Sequence, residues 1–175
     1  LPEKILIVEG ESDRILLNAA LQANKSSSVF VHKIGGISNY TNVEGRVKAI
    51  EQSLSPHMHG EEFYLYEGNV AILTDYLNPD EPSQAKLREK LEKYFPDLWF
   101  EITEEYETGK DILHALPSEI YEQAGLDKVT VLSQLDEFVT IGAPWQDVLK
   151  FKTDTAITVS KVISSNNLEL ILSIS

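Results

Sequence analysis

Short apolar runs alternate along this chain with longer stretches in which apolar residues recur every three or four positions. Ile5-Leu6-Ile7-Val8 and Val70-Ala71-Ile72-Leu73 are continuous, the pattern of strands buried on both faces of a parallel sheet. Val29-Phe30-Val31 with Ile34, closed by Gly35-Gly36, predicts another strand, and so does Leu98 to Ile102. Between them lie helical stripes. Ile15, Leu16, Ala19 and Ala20 recur from Asp13 onward, with Ser12 placed to cap the start. Val43, Val47, Ile50 and Leu54 stop at Ser55-Pro56, and Leu87, Leu91, Tyr94 and Phe95 end at Pro96. Strands joined through helices predict an α/β fold: a Rossmann-like central parallel sheet of about four strands, flanked by helices and wound right-handed. Beyond Gly109 the pattern changes to short helices only, interrupted at Pro117, Gly125, Gly142 and Pro144. We therefore expect an α/β core over residues 1–108 and a helical C-terminal extension over 109–175 that packs on it as one compact unit.

The chemistry sits where the apolar runs end. In an open parallel sheet, ligands bind at the carboxyl ends of the strands. Glu9 ends the first strand, Gly35-Gly36 the second and Asp75 the third, while Glu104-Glu105 follow the fourth. Two carboxylates about 4 Å apart repel by roughly 4 kcal/mol at an effective dielectric near 20. Such a cluster needs a cation, a raised pKa or separation by water. An oxygen-rich set without histidine or thiolate suits Mg2+ or Mn2+. Any one of these acids, taken alone, reads equally well as a solvated strand end; the set, on topologically matched positions, favours the metal.

Composition narrows the partners. The chain has 175 residues, of which 42% are hydrophobic, and a net charge of −13. That charge argues against a surface dominated by attraction to phosphate or anionic lipid. There is no cysteine, so disulfides and thiolate zinc sites are excluded. No apolar run approaches transmembrane length and no signal peptide opens the chain, which predicts a cytoplasmic protein without a membrane partner. The chain starts at Leu1 and its one methionine is Met58, so we expect a piece of a longer protein. No P-loop motif is present.

"ILIVEGESDR" resembles the first motif of the TOPRIM domain, in which a glutamate ends the first strand and a glycine follows. "VAILTDY" resembles the second, normally Asp-x-Asp. "KIGGISNYTN" and the tail "KFKTDTAITVSKVISSNNLELI" are similar to the overcoming-lysogenization-defect (OLD) nucleases, where a Gly-Gly turn follows the second strand and a lysine stands at the start of a helix. The resemblance covers most of the chain. It implies a metal-dependent DNA endonuclease module, serving phage defence or DNA processing, with an ATPase domain in the same or a partner chain and assembly into a homo-oligomer. It implies Glu9, Asp13 and Asp75 as ligands of Mg2+ or Mn2+, Glu104 or Glu105 completing a second metal site, and Lys152 near the scissile phosphate. Glu9, Asp75 and Lys152 would form the catalytic set.

One departure matters: the second motif reads Asp75-Tyr76-Leu77, with leucine for the second aspartate. Asp80 or Glu81 could substitute, although Pro79 and Pro82 fix a turn around them. A lost ligand weakens one metal, and two-metal cleavage stabilises both attacking and leaving oxygens. Leu77 and the acidic balance favour one rival reading, an inactive TOPRIM domain kept for assembly; "KILIVEGESD" and "TDYLNPD" also resemble a phospho-receiver, in which Asp75 would accept a phosphoryl group. His57-Met58-His59 reads as a flexible loop, and Phe63-Tyr64-Leu65-Tyr66 as an edge strand or core flap.

Overall fold

A computed structural model of the chain describes residues 3–26, 28–36, 69–102 and 111–168. The strands β1 (Lys4–Val8), β2 (Val29–Lys33), β3 (Val70–Thr74) and β4 (Trp99–Glu101) form one sheet in the order β2-β1-β3-β4. Every neighbouring pair is parallel. Parallel neighbours cannot be joined by hairpins, and two crossovers are described, both helical: α1 (Glu11–Ala23) links β1 to β2, and α2 (Pro82–Tyr94) links β3 to β4. The chain then continues through α3 (Ile112–Ala115), α4 (Ser118–Gln123), α5 (Lys128–Thr140) and α6 (Trp145–Ser160). The expected α/β sheet flanked by helices is what forms. The stripe from Val43 to Leu54, His57, His59, Phe63 to Tyr66, and Glu104 and Glu105 lie outside the described residues.

Continuous apolar runs become central strands because both faces of the sheet are covered. Ile5, Ile7, Ile34, Val70, Ile72 and Leu77 pack with Leu87 and Leu91 of α2 in one layer. A second layer joins Leu16 of α1 and Ile102 to Ile112, Leu113, Leu116, Ile120, Tyr121, Val131, Ala156 and Val159 of the later helices. Helix α6 lies along α1, so the C-terminal helices share a core with the first crossover. Tyr121, fully buried, donates its hydroxyl to the Leu113 carbonyl at 2.5 Å.

Several boundaries differ from the sequence expectation. Helix α1 begins at Glu11, with Gly10 rather than Ser12 as its N-cap. Asp13 reaches back so that its Oδ2 accepts the Gly10 N–H at 2.9 Å, which satisfies an end-group donor without a serine cap. Helices α5 and α6 run for 13 and 16 residues and are not short. Gly125 (φ 75°), Gly142 (φ 67°) and Pro144 fall between helices, so the apolar periodicity inside each is unbroken.

The segment after β3 is fixed from below. Leu77 is wholly buried in the first layer, and its N–H donates to Glu101 Oε2 at 3.2 Å. Arg88 donates to the Leu77 carbonyl at 2.9 Å and to Glu101 Oε2 at 2.8 Å, with its guanidinium 5.0 Å from the centre of the Trp99 ring. The leucine in the position of the second motif aspartate is therefore a core residue. Asp80 is exposed, and Glu81 caps α2 by accepting the Gln84 N–H. An aspartate at 77 would bury a carboxyl among aliphatic side chains. We expect Leu77→Asp to lose at least about 4 kcal/mol in urea unfolding; parental stability together with tighter magnesium binding would contradict this placement.

Candidate functional site

Strand order decides what meets at the sheet edge. Register pairs Ile7 of β1 with Ile72 of β3, so the two strands deliver Glu9 and Asp75 side by side. The Asp75 main-chain N–H and carboxyl both act on the Glu9 carboxyl so as to favour its charged form. On the other side, the N–H groups of Gly35 and Gly36 each donate to the Glu9 main-chain oxygen at 3.1 Å. These glycines have φ of 85° and 114°, a region that side chains with a Cβ rarely adopt. The Gly-Gly turn thus ties the end of β2 to the end of β1.

The remaining groups arrive from helices. Asp13 projects from the first turn of α1, where the positive end of the helix favours carboxylates. Glu11, in the same turn, binds Arg14 and lies 2.8 Å from Lys33 Nζ. Lys152 stands in the middle of α6, not at a helix start, with a side chain 21% exposed, and it forms an ion pair with Asp111. Asp111 caps α3 by accepting the Leu113 N–H at 3.0 Å, and its Oδ1 lies 3.0 Å from His114 Nδ1. A cleft of about 440 Å³ exposes Glu9, Asp13, Asp75, Asp111 and Lys152 together. Lys33, Gly35 and Gly36 line it from β2 and its turn, and Trp145, Leu149 and Thr153 from α6.

The electrostatics sort these acids into two kinds. Burial pushes Asp75 up to about 9, helped by the charges of Glu9, Asp13 and Asp111. Burial also raises Asp13, to about 7, against the Gly10 hydrogen bond. Glu9 is raised by burial too, with the Asp75 N–H and Lys152 pulling it back. Burial works on Asp111 in the same direction, but the hydrogen bond from His114 and the charge and hydrogen bond of Lys152 win, leaving it at about 2. Lys152 loses by burial and gains more from Asp111, Asp75 and Asp13, so it stays protonated above the ordinary lysine range. Asp111 and Lys152 form the ionised pair, and among the described residues the other three acids have no ion-pair partner of their own.

Glu9, Asp13, Asp75 and Lys152, singled out in the sequence, all line this cleft. Asp111 was missed. Its signal was that of a capping acid just before the apolar Ile112-Leu113, which reads as helix punctuation. Among the described residues no three acidic or histidine side chains form a ready-made metal cage. The donor set nevertheless fits a hard cation. Glu9 Oε2 is buried with no hydrogen-bond partner among the described residues. Magnesium commonly takes only one or two carboxylates, with water and substrate phosphate completing the shell.

No family model matches the chain, and no curated protein matches it. Solved structures do. Its structural neighbours include C-terminal regions of OLD proteins. That of Burkholderia pseudomallei is matched over 100% of both chains, at 19% identity and a TM-score of 0.49. That of Xanthomonas campestris pv. campestris is matched over 98% of this chain and 91% of the other, at 17% identity and a TM-score of 0.45. These likenesses concern overall architecture, and the roles of individual residues rest on the cleft itself.

The raised acids give a pH signature. Asp75 moves from 3.8 to about 9, so between those values the folded chain holds a proton that the unfolded chain has released. Stability must then fall as pH rises through that window. Without metal, the melting temperature should drop from pH 5 to pH 9 (about the window set by these shifts), and less steeply in Asp75→Asn. An unchanged slope in that variant would mean that Asp75 does not hold the proton.

Proposed function

We propose that this chain is an OLD-like TOPRIM domain whose cleft binds Mg2+ or Mn2+ and hydrolyses DNA phosphodiester bonds. The observation that carries the reading is the crowding of Glu9, Asp13 and Asp75 where β1 and β3 end, with the Lys152 ammonium among them. Glu9 and Asp75 would hold the cation, replacing the shared proton, and Asp13 would contribute the carboxylate oxygen that does not cap Gly10. A divalent cation there supplies Lewis-acid stabilisation of phosphate oxygens and lowers the pKa of an attacking water. Lys152, kept protonated by Asp111, places a positive charge where negative charge develops on the phosphate. Asp111 and His114 hold that ammonium in place.

The net charge of −13 bears on how DNA is held. Affinity for nucleic acid comes mainly from neutralising phosphates, and one cation offsets only the local part. We infer that the main DNA-holding surface belongs to a partner ATPase domain or a second copy of the chain, in a cytoplasmic phage-defence or DNA-processing assembly. Within the described residues no helix is long and apolar enough to cross a membrane.

Two observations favour other readings. The burial of Leu77 favours an inactive assembly domain, because the second motif aspartate has no vacant position to return to. The sheet order β2-β1-β3-β4 is also that of the first strands of flavodoxin-like folds such as receivers. Against a receiver, burial and the charge of Glu9 keep Asp75 protonated up to about 9, and a protonated acid is a poor nucleophile. The lysine also comes from α6 rather than from the end of a later strand.

Calorimetric titration should give magnesium or manganese binding that weakens at least about tenfold in Glu9→Gln, as loss of a carboxylate ligand requires; equal affinity would sink the metal assignment. With manganese, the chain should nick supercoiled plasmid slowly. Lys152→Ala should lower that rate by about a hundredfold, the typical effect of removing one charge-stabilising group. Metal binding without any nicking would select the assembly reading. Acetyl phosphate with magnesium should add no phosphate mass; stoichiometric modification lost in Asp75→Asn would install the receiver.

A further inference from the structure

Trp145 opens α6 and is 62% exposed, whereas Trp99, the other tryptophan, packs against the first core layer and donates its Nε1–H to Thr74 Oγ1 at 3.1 Å. Lone exposed apolar residues are ordinary, but Trp145 is not alone in place. Residues 145, 149 and 152 recur at helical spacing along one side of α6, and Trp145, Leu149 and Lys152 all line the carboxylate cleft. The seven residue steps from Trp145 to Lys152 rise about 10 Å along the helix at roughly 1.5 Å each. Lys33 lines the same cleft, and so does Gly36, where a Cβ would meet nothing within 4 Å. The cleft therefore offers an indole face, cationic groups and open space beside the acids.

This combination is chemically selective. An apolar side chain of a protein partner would use the indole and leave Lys152 and the carboxylates idle. A strand of nucleic acid uses both, because its phosphates seek the cations while each base has a flat face to stack. Single strands are gripped in this way whatever their sequence.

We propose that Trp145 is a base-stacking platform, holding one unpaired nucleobase of the strand whose neighbouring phosphate lies at Lys152 and the Glu9–Asp75 pair. It rests on the nuclease-type reading of the cleft for the identity of the ligand. Paired bases inside a duplex have no free face, so the cleft selects single-stranded, gapped or frayed DNA over intact duplex. Trp145 is a substrate-positioning residue at the cleft, separate from the groups that hold the cation.

The test uses the 175-residue chain and a dye-labelled single-stranded oligodeoxynucleotide, alongside the same strand carrying abasic sites, titrated in calcium, which also takes oxygen ligands. The ordinary strand should bind about tenfold more tightly than the abasic one, the size expected from one stacked base, and should quench tryptophan emission. Trp145→Ala should erase the difference and the quenching, while Trp145→Phe should keep most of the difference. Trp145 is exposed, so the fold does not depend on it, and a thermal melt confirms this for each variant. Equal binding of the two strands, no binding of either, or a preference that survives Trp145→Ala would overturn the proposal. Plasmid nicking in manganese separates the two levels. A base preference without nicking supports the platform and removes the nuclease reading; nicking without a base preference does the reverse.

Discussion

Two buried carboxyl groups that act on each other at close range can persist only if a proton or a cation offsets their charge, and Glu9 and Asp75 are such a pair. Neither can retreat. Each ends a strand of the central sheet, and Ile7, Val8 and Ile72 behind them are completely buried. Moving either acid by one residue would turn its whole strand inside out. At an effective dielectric near 20 the repulsion of two such charges is roughly 4 kcal/mol, which the folded state avoids by retaining a proton. A site strained in this manner is prepared for a divalent ion in a way that a solvated pair of acids is not.

The opposing element is the pair of Asp111 and Lys152. A lysine amid so much negative charge would neutralise the cleft if it were free to move among the acids. Its ion pair with Asp111, itself held by His114 and by the N-terminus of α3, restricts that freedom. One acid is satisfied and stays ionised, the others are left in want of charge, and the ammonium remains directed at the cleft. The division depends on α6 lying along α1, because that packing alone brings residue 152 to the end of β1.

Much of the fold was legible because burial leaves a direct mark on residue choice. Ile5-Leu6-Ile7-Val8 and Val70-Ala71-Ile72-Leu73 could hardly be anything but strands covered on both sides, and Gly35-Gly36 marked a turn whose φ angles prove to need glycine. Punctuation was harder. Ser12 looked like the cap of α1, but capping by Asp13 depends on the rotamer of a side chain inside the helix. The glycines and prolines after residue 109 suggested short helices, although their positions between elements left α5 and α6 long. Leu77 appeared as a gap in a motif; the three-dimensional packing makes it a part of the core.

From the sequence alone came the α/β class, the parallel sheet and the acids at the ends of its strands, because alternation of apolar runs and the residues that stop them are local properties of the chain. Strand order, the contact of Glu9 with Asp75, the recruitment of Asp111 and the fall of Trp145 and Lys152 on one wall of the cleft were decided only by tertiary structure. These are distances between residues far apart in the chain, and they are set by which helix packs on which face. No spacing along the sequence encodes that a helix beginning at Trp145 lies against one beginning at Glu11.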